Sequence, residues 1–154
     1  MFINGTFSFI PQSKQPWILT HVLDPKDEKS RALIEHLESR GAARPFVEVV
    51  VFLSENNEAA ENLEKAGFSI AYRESSALRE AAPNLEIPFL YIEAPGEKGV
   101  YAGNYGKDFG DMEIAQSFYS QKLMRFLPTT TCGTILRVQK FLDPSAVLHA
   151  SQSD

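Results

Sequence analysis

The chain has 154 residues, of which 44% are apolar and 23% charged, with a formal net charge of -5. That composition suits one globular domain with a full core, and an acidic chain without a basic run excludes the nucleic-acid backbone as an expected partner. One cysteine, Cys132, excludes an internal disulfide and any all-cysteine metal site within these residues.

Residues 1–16 read as an N-terminal arm closed by Pro11 and Pro16. The start Met1-Phe-Ile-Asn-Gly-Thr-Phe-Ser-Phe-Ile10 is apolar but short and has no basic lead, so it does not read as a signal peptide. It is expected to pack on the domain. An anchor upstream of Met1, or a homodimer built through Phe2, Phe7 and Phe9, stays open. No segment reaches the ~18–20 apolar residues of a membrane helix.

Trp17 to Leu23 is a run of strand formers and predicts a buried strand. Asp24-Pro25-Lys26-Asp27 then opens a helix, with Asp24 as cap, Pro25 in the first turn and Asp27 at the positive dipole end. Gly41 ends that helix. Val47 to Leu53 is the second strand, and Ser54 is expected to cap a helix over about 55–66. Phe68 to Tyr72 is a third strand. A short helix near 76–82 is cut off by Pro83. Pro88 to Ile92 and Val100 to Tyr105, joined through Ala94-Pro-Gly-Glu-Lys-Gly99, form a hairpin. Asp111 starts a helix through about 126. Pro128 to Gly133 breaks the pattern, Ile135 to Phe141 is one more short element, and the tail from 145 is expected to be mobile.

This β-α-β-α-β-α-β-β-α order implies an α/β fold with a mixed, mainly parallel sheet and helices on both faces. With a proline-initiated strand, Ile87-Pro88, a glycine-containing hairpin and a last helix, it resembles the thioredoxin-like superfamily over about residues 17–126. The resemblance implies a three-layer sandwich ending in a C-terminal β-hairpin plus helix, with 127–154 as an extension. It also implies a cis Pro88 facing the active-site helix. A narrower resemblance, to RedB-type thioredoxin-fold proteins, rests on Trp17, His21-Val-Leu23, Pro25, Ser30, His36-Leu37, Tyr101-Ala-Gly-Asn-Tyr105 and Leu127 to Gly133. Those relatives carry a Cys-x-Cys pair where Asp27 and Lys29 stand here. Asp27 can sit at a helix N-terminus as an anion, but it cannot form a mixed disulfide. The resemblance therefore implies an exported, periplasmic-type compartment and a fold without its dithiol reaction.

The surface expected to bind a partner is Asp24, Pro25, Lys26, Asp27, Lys29, Ile87 and Pro88, and the partner an unidentified protein or peptide. The bland reading of Asp27 is a dipole-matched cap. Cys132 is the sole candidate nucleophile, in a polar Thr-rich segment whose nearest cation is Arg137. His21 is expected to be half-buried with a backbone partner and His36 exposed. The acids are expected mainly on polar helix faces and in loops, with no pair standing out as an acid/base dyad. The three histidines, His21, His36 and His149, have no metal-binding spacing, so no metal and no cofactor is expected. The reading leans away from an enzyme, toward a redox-inactive binding module. A thiol-dependent redox protein, or a metal or cofactor chaperone using Cys132 with a histidine, are the alternatives.

Overall fold

A computed structural model describes residues 15–96, 98–105, 108–120 and 130–143. The expectations for the N-terminal arm, the end of the 111–126 helix and the tail from 145 lie outside these residues.

The described chain runs β1 (Ile18–Leu23), α1 (Glu28–Arg40), β2 (Val47–Phe52), α2 (Asn57–Lys65), β3 (Ser69–Tyr72), α3 (Ser75–Ala81), β4 (Phe89–Ala94), β5 (Lys98–Gly103), α4 (Asp111–Ser120) and α5 (Cys132–Leu142). The strands form one sheet in the order β3-β2-β1-β4-β5. β1 pairs parallel with β2, and β2 with β3. β4 is antiparallel to both β1 and β5. The sheet is thus evenly mixed, where the sequence pattern suggests a mainly parallel one. The cause lies in α3. Seven helical residues advance about 10 Å, half the length of a six-residue strand, so the chain enters β4 from the end at which it left β3.

Alternation along the strands divides the core. Leu19, Leu23, Val50, Phe52, Leu90 and Ile92 face a layer that holds Leu33, Ile34 and Leu37 of α1, Leu63 of α2 and Ala115 of α4. Val22, Val51, Phe89 and Tyr91 face a second layer with Leu78 of α3 and Val138 and Phe141 of α5. The segment expected as a C-terminal extension therefore contributes a core helix.

Three caps differ from expectation. Asp27, not Asp24, caps α1, accepting from Ser30 N–H at 2.9 Å. Asn56, not Ser54, caps α2, accepting from Ala59 N–H at 3.1 Å. Each helix begins later than composition suggests, because the carboxylate and hydroxyl upstream bind each other instead. Thr131 caps α5 through Thr134 N–H at 3.2 Å, which makes Cys132 the first helical residue rather than part of a loop.

Candidate functional site

The ends of β1 and β4 bring most of the expected site together. Val22 pairs with Phe89, so continuing the register places Pro88 across from Leu23 and Ile87 across from Asp24. The Ile87–Pro88 peptide bond is cis. Pro25 and Pro88 are buried, while Lys26, Glu28 and Lys29 are exposed.

The turn between β1 and α1 is fixed from within. Asp24 carboxylate accepts from Lys26 N–H at 3.0 Å and from the Ser54 hydroxyl. Asp24 N–H donates to the buried Ser30 hydroxyl oxygen at 3.1 Å, and Asp27 N–H to Asp24 C=O at 2.8 Å. Arg31 lies over the turn and donates to the carbonyls of Lys26 and Pro25 at 2.9 and 3.3 Å. These bonds leave Lys26 and Lys29 as side chains without a structural task among the described contacts. Beside this turn, Ile87 main-chain N–H and C=O have no hydrogen-bond partner among the described residues. They are a short unpaired stretch of backbone just before β4.

A second cluster, absent from the sequence reading, lies beneath α1 and α4. His21 is fully buried rather than half-buried, and its partners are side chains, not backbone. Its Nδ1 is 2.6 Å from Tyr105 Oη, and its Nε2 donates to Glu48 Oε1 at 2.7 Å. Arg40 donates to both Glu48 oxygens at 2.8 Å and to Asp111 Oδ2 at 2.8 Å. Ala43 N–H donates to Glu48 at 2.7 Å. His36, partly covered rather than exposed, approaches Asp111 Oδ1 at 3.3 Å. Glu48 and Asp111 are buried acids, exceptions to the general placement of acids on polar faces and in loops.

The electrostatics of the cluster follow from these contacts. Burial alone would raise the Glu48 carboxyl, but hydrogen bonds from Arg40 and His21 outweigh it and hold the pKa at about 2. Burial opposes the charge on Arg40 as well, and its bonds to Glu48 and its attraction to Asp111 still push its pKa upward. Burial, with the Asp111 and Glu48 charges, pushes the Tyr105 phenol well up, so it stays protonated. One ligand atom each from His21, Glu48 and Asp111 would lie within 4.8 Å of the others, a spacing a metal ion could use. The Arg40 guanidinium already serves as the cation between the two acids.

Cys132 is exposed at the first turn of α5. That helix packs on the sheet face opposite α1. His21 is sealed in its own network, and His36 sits on α1. The structure therefore does not pair Cys132 with either described histidine, and His149 lies outside the described residues.

No protein-family model matches the sequence, and no curated protein matches it. Solved structures do match. A protein named as a thioredoxin from Neisseria meningitidis is 12% identical, covers 72% of this chain and 79% of its own, and superposes with a TM-score of 0.52. A thiol-disulfide oxidoreductase from Bacteroides fragilis is 15% identical over 65% of this chain and 81% of its own, with a TM-score of 0.44. A thioredoxin-like protein from Aeropyrum pernix is 9% identical over 71% and 82%, with a TM-score of 0.47. The chain has a thioredoxin-like fold, carried by the first of these similarities, and it holds a single cysteine. At such identities the fold is what is shared, and no reaction follows from it.

Proposed function

We propose that this protein binds an extended segment of another polypeptide at the end of the sheet formed by Asp24 to Lys29 with Ile87 and Pro88, without dithiol chemistry. The observation that carries the reading is the unpartnered main chain of Ile87 beside exposed Lys26 and Lys29. An incoming strand can pair with such backbone. Lone Cys132 supports the redox-inactive half of the reading, because an intramolecular dithiol cycle needs two thiols. The narrower likeness to RedB-type proteins enters as the reason to regard Asp27 and Lys29 as standing at former cysteine positions.

The test is a residue-resolved amide NMR titration with a reduced, carboxymethylated unfolded polypeptide. Perturbations confined to residues 24–31 and 86–88, lost in Ile87→Asp, are expected. Perturbations elsewhere on the molecule, or none, overturn the reading.

A second reading has one observation in its favour. The Cys132 thiol is exposed at the first turn of α5, open to a disulfide-bearing partner. It predicts mixed-disulfide formation with glutathione disulfide faster than a small-molecule thiol achieves. A rate no faster than that removes it.

A further inference from the structure

Where the exit of α3, strand β5 and the start of α5 meet, a groove of about 480 Å³ opens on the surface. It is lined among others by Asn84, Leu85, Gly103, Thr130, Thr134 and Arg137. The volume lies in the range of sites that hold a side chain or small ligand. Its chemistry is unusual for this molecule. The chain as a whole carries a net charge of -5, yet the lining residues include one formal charge, the guanidinium of Arg137, and no acid. The hydroxyl-bearing and amide side chains around it supply hydrogen-bonding groups, and Leu85 and Ala102 supply an apolar wall.

The groove and the proposed docking segment are neighbours along the chain. Leu85 lines it, and Ile87, whose main chain is unpartnered, lies two residues further on. Glu86 between them is exposed and does not line the groove. On the β5 side the outward Ala102 N–H is already taken by the Thr130 hydroxyl at 3.0 Å. The groove therefore offers side-chain groups, and on its β5 side the Ala102 N–H is closed to an incoming strand.

We infer that this groove is a specificity pocket for an acidic side chain, Asp or Glu, on the extended polypeptide that pairs beside Ile87. The inference rests on the docking reading above. A planar guanidinium matches a carboxylate with paired hydrogen bonds, and the other lining groups add no competing anion. An acidic side chain within an extended segment, rather than a chain end, is the occupant that pairing beside Ile87 calls for, because backbone pairing needs chain on both sides of the paired residue.

The experiment uses fluorescein-labelled peptides of valine, threonine and serine with one Glu moved stepwise along the sequence, each matched by its Gln twin, all amidated at the C-terminus. Binding is read by anisotropy. At one position the Glu peptide is expected to bind at least about tenfold tighter than its Gln twin. Arg137→Gln should bring the twins to equal affinity, and Arg137→Lys should restore part of the difference. Ile87→Asp should weaken both. If Glu and Gln twins bind alike at every position while Ile87→Asp still weakens them, the acidic pocket is overturned and the docking strand stands. If Ile87→Asp is silent, or no peptide binds, the docking reading fails and the pocket with it. A preference that appears only when the C-terminal carboxylate is left free overturns the side-chain assignment.

Discussion

Glu48 is an acid inside an apolar strand, at a position whose neighbours on the same face, Val50 and Phe52, are fully buried. Such a group survives only because Arg40, His21 and Ala43 N–H satisfy it. Removing it in Glu48→Ala leaves Arg40 in a partly closed site and should cost about 3–5 kcal/mol, measured by urea unfolding. The carboxyl is held near 2 in the fold against an ordinary value of 4.5. A depressed pKa stabilises the folded state above the ordinary value and loses that contribution as pH falls through the folded one. Stability should therefore decline from about pH 4.5 toward pH 2 by on the order of 3 kcal/mol from this group, and Glu48→Ala should lack that part of the decline. Asp27 poses a different question, whether it is only a cap or also part of a partner-binding surface. As a cap, Asp27→Asn should keep stability within a few tenths of a kcal/mol, and Asp27→Ala should lose about 1 kcal/mol in the same assay. The histidine and tyrosine of the quoted motifs also find a role at this scale. His21 and Tyr105, 84 residues apart, stack with ring centroids 5.8 Å apart and share a hydrogen bond. In this fold the two serve packing beneath α1.

The last helix, α5, is attached by a close approach at β5. A Cβ on Gly99 would lie 2.5 Å from Tyr91 Oη and 2.6 Å from Ile135 Cγ2. Gly99→Ala should therefore push α5 off the sheet and destabilise by about 1–3 kcal/mol, seen as a lowered melting temperature. Thr131→Ala removes the α5 cap and should cost about 1 kcal/mol, read as faster hydrogen exchange over its first turn. Most elements were legible from period and punctuation. Apolar runs marked β1, β2 and β4, and Gly41 and Pro83 marked the ends of the first and third helices. The helix starts were less so, because Asp24 and Ser54 look like caps. Asp24 and Ser54 bond to each other across two loops. That contact joins residues 30 apart and has no local signal.

For the whole molecule, a fold of thioredoxin type with one exposed thiol makes a direct prediction. Cys132 should react with a thiol reagent at once in native buffer, as a single group, and adding reductant should leave the melting temperature unchanged. The sequence by itself determined the element order, the hairpin, the thioredoxin-like class and the absence of a dithiol pair, because strand and helix periods and residue counts are local quantities. Strand direction, the two faces of the sheet and the Glu48–Arg40–Asp111 network were decided only in three dimensions. Each depends on which distant segments meet. A strand's charge is tolerable or fatal according to whether a partner from another element reaches it, and here Arg40 at the end of α1 does.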